Sequence, residues 1–302
     1  MKTLRLRRGP RLFAVLPTML TLGNAVCGFG ALTFAAKVGI EKIGWGRDDT
    51  ECLFISAILI FVAMVFDMLD GRAARWAKQT SQFGAELDSL CDAISFGVAP
   101  AFILIKFSPD FHPRLLWSIA VMYTLCAILR LARFNVETDD EDTHEYFSGL
   151  PSPAAAGTVA SFMVAYPLLA SLTGPLPESA DQWDRLGSYA AGWLAPALKG
   201  FLLPMVTLAC ACLMVSRVRY SHVFNQLFRG RKSYQHMLYL LLSMVIAVIV
   251  RELAVPMIFC GFAFGFPVKA MIDRMRRGGG QGDQSDSNAA PPAGQPPVSG
   301  AR

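Results

Sequence analysis

Long runs of apolar residues alternate with short polar segments along most of this chain. Most of the runs are long enough to cross a hydrocarbon core of about 30 Å as a helix that rises about 1.5 Å per residue. The pattern predicts eight membrane-spanning helices, at residues 16–38, 52–76, 86–107, 115–136, 151–173, 197–216, 235–250 and 253–270. We therefore expect an all-α fold, a polytopic helix bundle surrounded by membrane lipid.

The overall composition supports the membrane prediction only weakly, but the positions of the charged residues support it further. The chain has 302 residues, of which 53% are hydrophobic and 17% are charged. Soluble chains carry about 45–50% apolar and about 25% charged residues, so the positions of the apolar runs weigh more than their total. The net charge of +5 is compatible with a nucleic-acid partner, but the basic residues cluster beside the apolar runs. That placement is typical of membrane topology signals, and we predict no nucleic-acid partner.

The basic residues also predict an orientation. The N-terminus, the second-to-third connection, the sixth-to-seventh connection and the C-terminal flank are basic, whereas the opposing connections are mainly acidic. Lys and Arg concentrate on the cytoplasmic side, so both termini should be cytoplasmic. The first apolar run is too long for the core of a cleaved signal peptide. We predict a basic cytoplasmic N-terminus at 1–15, a membrane domain at 16–272 and a disordered tail at 273–302.

Two pairs of aspartates stand at neighbouring ends of the second and third predicted spans. Asp67 and Asp70 are three residues apart, and Asp88 and Asp92 are four apart, so each pair shares one face of its helix. The connection between the two spans is short. It should therefore bring all four carboxylates together.

Four carboxylates at or below the membrane surface need neutralisation. One aspartate at the centre of a span costs about 2.5–3.5 kcal/mol on insertion scales. Protons or bound cations can remove this cost, and ligands that are all oxygen suit hard ions. We predict a divalent metal, Mg²⁺ or Mn²⁺ with Ca²⁺ as an alternative, and two ions about 3.5–4 Å apart would suit a displacement at phosphorus.

The residues between the acids favour phosphate chemistry over proton transport. Gly71 permits close approach of a ligand to the backbone, and Arg75 offers a fixed charge with two-pronged geometry for phosphate oxygens. Ala74 and Gly84 leave room where helices and a nucleotide meet. A proton carrier has no need of this arrangement, although an ion or proton transporter remains the alternative from another functional class.

These residues form one continuous motif. It reads Asp67-x-x-Asp70-Gly71-x-x-Ala74-Arg75, eight residues, then Gly84-x-x-x-Asp88-x-x-x-Asp92. All the fixed positions resemble the signature of the CDP-alcohol phosphotransferase family. The resemblance implies a catalytic membrane domain with a six-helix family core, to which this chain would add C-terminal spans.

The resemblance also implies roles for individual residues. The metal ligands would be Asp67, Asp70, Asp88 and Asp92, and Asp92 would also be the general base that takes a proton from the acceptor alcohol. Contacts to the CDP group would come from Gly71, Ala74, Arg75, Ser81 and Gly84. In the first span, Pro17-Thr18-Met19-Leu20-Thr21 resembles the Pro-Asn-x-x-Thr stretch that the family places near the nucleotide. This adds Thr18 and Thr21 to the CDP contacts, with helix capping as the alternative role for both.

Other stretches bear on the acceptor alcohol. Asn24-x-x-Cys27-Gly28, the segment Arg130-Leu131-Ala132-Arg133-Phe134-Asn135 and the segment 147–156 are similar to the bacterial-type phosphatidylserine synthases of this family. The implied reaction transfers the phosphatidyl group of CDP-diacylglycerol to L-serine, and glycerol phosphate, inositol phosphate or choline are the alternative acceptors. Arg130 or Arg133 could pair with the serine carboxylate, although arginines at a cytoplasmic helix end are also expected from topology.

The resemblance further suggests a cellular setting. It implies an integral protein of a bacterial inner membrane with its active site facing the cytoplasm, where CDP and serine are water-borne. Family members often form homodimers, so a homodimer is expected here too.

Overall fold

The structure is a computed structural model. It describes residues 11–39, 48–77, 82–137, 147–174, 181–216, 219–220 and 253–278. The seventh predicted span, at 235–250, and the end of the predicted tail, at 279–302, lie outside these residues.

Helices account for nearly all of the described chain. The α-helices are α1 (Arg11–Ala36), α2 (Asp49–Ala77), α3 (Gln82–Asp92), α4 (Ala99–Phe107), α5 (Pro113–Glu137), α6 (Ser152–Leu172), α7 (Gln182–Ala197), α8 (Leu203–Val215) and α9 (Ala254–Gly278). Two π-helical segments, Ala93–Val98 and Leu198–Leu202, join α3 to α4 and α7 to α8. Two short strands, β1 (Phe147–Ser148) and β2 (Arg219–Tyr220), pair antiparallel.

Six helices in the described residues are long and apolar enough to cross a membrane. They are Leu16–Ala36, Asp49–Ala73, Phe83–Phe107, Pro113–Val136, Ser152–Leu172 and Arg185–Val215. The prediction of an all-α membrane bundle is confirmed at this level. The eighth predicted span corresponds to α9, whose apolar part, Ala254–Lys269, is shorter than the six. The two additional spans therefore stay a prediction.

The two largest differences from the predicted boundaries are at the start of the sixth span and the end of the eighth. The sixth span was expected to begin at residue 197, but its helix begins at Gln182. Its first turns mix Asp and Arg with Trp and Leu, and a search for continuous apolar runs misses an amphipathic helix. At the other end of the chain, α9 continues to Gly278, beyond the predicted domain boundary after residue 272.

Small residues allow α1 and α2 to pack closely along each other. Ala31 and Ala35 of α1 and Ala57 of α2 are fully buried. The Ser56 hydroxyl of α2 donates a hydrogen bond of 2.6 Å to the backbone carbonyl of Ala31. Small side chains and interhelical hydrogen bonds are the usual means of helix association in lipid. The hydrophobic effect contributes little there, because lipid tails are as apolar as the side chains. This pairing fixes the position of α2, which carries the first two acids.

The π-helical segment after α3 is hydrogen-bonded to both of its neighbouring helices. On one side, the buried hydroxyl of Tyr123 in α5 donates to the carbonyl of Phe96 at 3.2 Å. On the other side, the Ser95 hydroxyl donates to the carbonyl of Asn24 in α1 at 3.0 Å. A π-helical turn replaces the regular α-helical bonding pattern, and such turns are frequent beside functional sites. The third span is thus anchored immediately after Asp92.

Gly28 makes the close approach between α1 and the π-helical segment possible. A Cβ atom at this position would lie 2.8 Å from Ser95 Cα, which is backbone and cannot move as a side chain can. Gly28→Ala is therefore expected to lower the free energy of unfolding by about 1–3 kcal/mol, as overpacking typically does. The measurement is the melting temperature of the purified protein in detergent.

Gly261→Ala is the matched control, because no atom in the described part of the chain lies within 4 Å of a Cβ atom at Gly261 of α9. Alanine is favoured over glycine inside a helix, so this control should melt at the same or a slightly higher temperature. Equal melting of both variants would mean that α1 and the third span are not in close contact at Gly28.

Candidate active site

Three acids meet where the ends of α2 and α3 come together. One carboxylate oxygen from each of Asp67, Asp70 and Asp88 lies within 4.8 Å of the others. Asp70 is buried, and the other two are half-buried. We call these residues the three-acid group. Their helical spacing and the short connection between the spans were the grounds for expecting this proximity.

The fourth acid, Asp92, lies beside the three-acid group but is not part of it. It is buried one turn further along α3, and it interacts electrostatically with all three members. Its Oδ1 atom accepts a hydrogen bond of 2.8 Å from Nδ2 of the fully buried Asn24 in α1. The structure thus separates the predicted set of four into three clustered carboxylates and one carboxylate held by an amide.

The three-acid group contains oxygen atoms that need a partner. Asp70 Oδ2 and Asp88 Oδ1 are buried and accept no hydrogen bond from any described residue. An unpaired buried carboxylate oxygen is costly, and several close together repel one another. A divalent cation would bind the unpaired oxygens and offset the repulsion between the carboxylates. An all-oxygen ligand set suits a hard ion. The residues present therefore fit a divalent metal ion.

Arg130 brings a positive charge to the same region. It lies on α5 and interacts electrostatically with Asp92 and Asp67. Its Nη1 atom donates to the Ser152 hydroxyl at the start of α6 at 2.8 Å, while its buried Nε finds no acceptor among the described residues. Arg133, three residues further on, is half-buried and also interacts with another residue. Arg130 thus has defined contacts at the acids.

The CDP-binding residues predicted in α1 and α2 flank the three-acid group. The buried Thr21 hydroxyl is within reach of both the Asp70 carboxyl group and the Pro17 carbonyl, with 3.0 Å to the latter. Thr18 is half-buried one turn earlier in α1. Gly71 is exposed, and a Cβ atom there would meet no described residue within 4 Å. Open space beside the Gly71 backbone is what a ligand would need to approach it.

The structure describes the remaining predicted CDP-binding residues only in part. Gly84 is half-buried in α3, within one turn of Asp88. Ala74 and Arg75 lie in the last turns of α2, but their side chains are outside the described part of the chain, as is all of Ser81. Their predicted contacts stay predictions.

Asn24 and Ser152 are the site residues to which the sequence assigned no role. Asn24 lies in a stretch that resembles the family, but that resemblance gives it no role. In the structure it donates a hydrogen bond to Asp92, which is 68 residues away in the sequence. A polar amide in the middle of an apolar span is itself a signal of function, because such residues are costly in lipid. Ser152 gave no comparable signal, since a serine at a helix start is common.

Comparison with known proteins places this site in a family. The family model described as CDP-alcohol phosphatidyltransferase matches residues 14–194, which is more than half of the chain. The chain belongs to the CDP-alcohol phosphatidyltransferase family. The family resemblance predicted from the aspartate motif is thereby confirmed. Members of this family generally depend on a divalent metal, with which the three-acid group is compatible.

Several curated relatives within this family carry informative names. A CDP-diacylglycerol–serine O-phosphatidyltransferase of Mycobacterium tuberculosis (strain H37Rv) is 36% identical over 154 residues, which cover 50% of this chain and 49% of the relative. One of the same name from Helicobacter pylori (strain 26695) is 32% identical over 140 residues, covering 46% and 53%. An archaetidylserine synthase of Methanothermobacter thermautotrophicus is 37% identical over 153 residues, covering 50% and 58%. The chain spans about half the length of the curated relatives it matches.

Proposed function

We propose that this family member transfers the phosphatidyl group of CDP-diacylglycerol to the hydroxyl of L-serine, giving phosphatidylserine and CMP. The observation that carries the proposal is the three-acid group with Asp92 fixed beside it by Asn24. The choice of serine is supported by the names of the three relatives described above, each of which names serine or a serine lipid. A transporter has no use for the full family motif, so the enzyme is the better explanation of the site.

The proposed metal site consists of the three-acid group, with Asp92 close enough to contribute. Mg²⁺ or Mn²⁺ is the proposed metal, as two ions, and Ca²⁺ is the alternative. When bound, such ions neutralise the diphosphate and the charge that develops as CMP leaves. The open backbone at Gly71 gives the diphosphate room to approach, and the family motif assigns the CDP contacts to Ala74, Arg75, Ser81 and Gly84.

Asp92 is the proposed general base. Because Asn24 occupies its Oδ1 atom, Oδ2 is the oxygen left to accept a proton from the serine hydroxyl. As that proton moves, the serine oxygen attacks the phosphorus that bears diacylglycerol, and the bond from this phosphorus to the oxygen of CMP breaks. The amide of Asn24 prevents the carboxylate from rotating, which maintains the alignment that general base catalysis requires.

Arg130 is the proposed partner of the serine carboxylate. Its position beside Asp92 would hold the carboxylate of serine close to where its hydroxyl must lose a proton. The unused Nε donor of Arg130 and its Nη atoms can form a two-pronged pair with a carboxylate. The bond to Ser152 holds the guanidinium in place.

Arg130→Gln is therefore expected to raise the KM for serine by about 10- to 100-fold, the usual worth of a hydrogen bond to a charged group. The KM for CDP-diacylglycerol should change much less. Steady-state kinetics with each substrate varied in turn would measure both values, and Arg133→Gln is the matched control from the same helix. If both KM values rose together, Arg130 would be assigned to the acids or the diphosphate and not to serine.

The acceptor itself is tested with the purified protein in mixed micelles of CDP-diacylglycerol and detergent. With Mn²⁺ or Mg²⁺ and labelled serine, we expect labelled lipid and an equal amount of CMP. Glycerol phosphate, inositol phosphate and choline are supplied in parallel, and a lipid product from one of these in place of serine would overturn the serine proposal. Ion flux across sealed vesicles without consumption of CDP-diacylglycerol would overturn the enzymatic proposal.

Six apolar helices indicate an integral membrane protein, and the finer topology is proposed from charge. Lys and Arg concentrate on the side of the bundle where α2 ends and α3 begins. We propose that this side faces the cytoplasm of a bacterium, with both termini and the active site there, and that the C-terminal region adds two spans. The homodimer expected from the family stays a prediction.

A further inference from the structure

A polar cavity lies far from the acids. Its volume is about 350 Å³, within the range of about 300–1,000 Å³ that ligand pockets commonly have. Its polar side chains include those of Asp49, Lys106 and Lys199. The apolar part of its wall includes Leu53 and Ile105. The ends of several helices thus form a pocket that none of the catalytic residues touches.

The cavity lies at the opposite end of the bundle from the three-acid group. Asp49 begins α2, and Asp67 is near its other end, a distance of roughly 27 Å along the helix axis. In the third span, Asp92 and Lys106 are separated by roughly 21 Å along the axis. The hydrocarbon core is about 30 Å thick, so the cavity and the acids lie near opposite surfaces of the membrane.

Two lysines direct positive charge at this cavity. The Lys106 ammonium donates a hydrogen bond of 3.1 Å to the carbonyl of Val38, two residues after the end of α1. The Lys199 ammonium, in the second π-helical segment, lies 4.8 Å from the ring centre of Tyr166 and 5.8 Å from that of Phe107. No described residue accepts a hydrogen bond from the Lys199 ammonium, so N–H donors of this group remain for an anion.

The acid in the cavity does not neutralise these lysines. Asp49 Oδ1 accepts a hydrogen bond of 3.2 Å from the backbone N–H of Gly39, so this carboxylate links the start of α2 to residue 39 just after α1. Among the described residues, neither Lys106 nor Lys199 forms an ion pair. A lysine in an apolar span is costly unless its charge reaches water or a counter-charge. A lysine at such a position is therefore a candidate for binding an anion.

We infer that this cavity binds the phosphate group of an anionic phospholipid from the membrane leaflet opposite the active site. Several oxygen atoms on one phosphate could accept from both ammonium groups at once. Free phosphate shares that chemistry, but the apolar wall at Leu53 and Ile105 favours a ligand whose glycerol and acyl chains continue into lipid. Such a lipid would join residues 38–39 after α1, the start of α2, the end of α4, α6 and the π-helical segment before α8. Its binding should therefore stabilise the bundle without touching the catalytic acids.

The test is thermal unfolding of the full-length protein in neutral detergent, titrated with phosphatidylglycerol. We expect a saturable rise in melting temperature with phosphatidylglycerol and little rise with phosphatidylcholine or inorganic phosphate. The double variant Lys106→Gln with Lys199→Gln should weaken the apparent affinity, taken from the titration midpoint, by at least about 10-fold. Lys37→Gln is the matched control, because Lys37 lies at the same end of the bundle over the Phe34 ring but does not line the cavity.

Each outcome decides the proposal. An unchanged midpoint in the double variant would place the lipid elsewhere, the active site included, and would overturn the proposal. An equal rise with phosphatidylcholine would exclude recognition of charge, and an equal rise with inorganic phosphate would exclude a lipid site. If the double variant does not fold, Lys199→Gln alone is titrated against the charge-preserving Lys199→Arg, and the affinity should fall only in the first.

Discussion

Asp70→Asn is expected to reduce phosphatidyl transfer by at least about 10³-fold while leaving the protein folded. Asp70 is buried within the three-acid group, and its Oδ2 atom has no partner among the described residues. Asparagine keeps the size of the side chain but removes the charge that holds a divalent ion. Loss of metal-ion catalysis removes several kcal/mol of transition-state stabilisation, and each 1.36 kcal/mol corresponds to about tenfold in rate. The measurement is the rate of CMP release at saturating CDP-diacylglycerol and serine.

Thermal unfolding separates a lost metal site from a damaged fold. Without metal, Asp70→Asn should melt at the same or a higher temperature than the original protein, because one of three mutually repelling carboxylates has been removed. Added Mn²⁺ should then raise the melting temperature of the original protein but not of the variant. Asp110→Asn is the control, since Asp110 is exposed and distant from the group in sequence. A normal Mn²⁺ response in Asp70→Asn would contradict the metal site.

Asp92→Asn is expected to lower the rate of transfer by about 10²- to 10⁴-fold, the range that general acid–base catalysis contributes. An asparagine at this position cannot take the proton of the serine hydroxyl. Its side chain can still pair with Asn24, so the packing between α1 and α3 should persist. The measurement is CMP release in parallel with labelled phosphatidylserine, at several concentrations of Mn²⁺.

The metal response distinguishes the two proposed roles of Asp92. If it acts as the base, the rise in melting temperature with Mn²⁺ should survive in Asp92→Asn while the rate falls. If that rise is lost together with the rate, Asp92 is needed for metal binding and the base assignment is unsupported. Equal rates in the two proteins would reject the base.

The close contact of the acids was predictable because it depends on local rules. Spacings of three and four residues put Asp67 with Asp70, and Asp88 with Asp92, on one face of each helix. The short connection between the two spans then brings the two pairs together. The apolar runs predicted the six spans for the same reason, since the length needed to cross lipid is a property of each segment alone.

What the sequence did not reveal depends on contacts between distant segments. Nothing in Ala93–Val98 marks it as π-helical; the Tyr123 hydroxyl of α5 donates to its Phe96 carbonyl, and its own Ser95 hydroxyl donates to the backbone carbonyl of Asn24 in α1. The bond from Asn24 to Asp92 likewise needs α1 and α3 to be placed before it can be recognised. The cavity at Lys106 and Lys199 is assembled from parts of several helices. Such features require the tertiary structure.

The π-helical segment has a geometric consequence for the third span. A π turn accommodates one residue more than an α turn, so it offsets the angular phase of the helix before it from that of the helix after it. Each residue of an α-helix turns the chain by about 100°. With the segment in place, Asp88 and Asp92 point at α1 and α2 while Phe96, Ile103 and Leu104 are all fully buried. A chain one residue shorter here would have to rotate either its acids or its apolar side chains out of place.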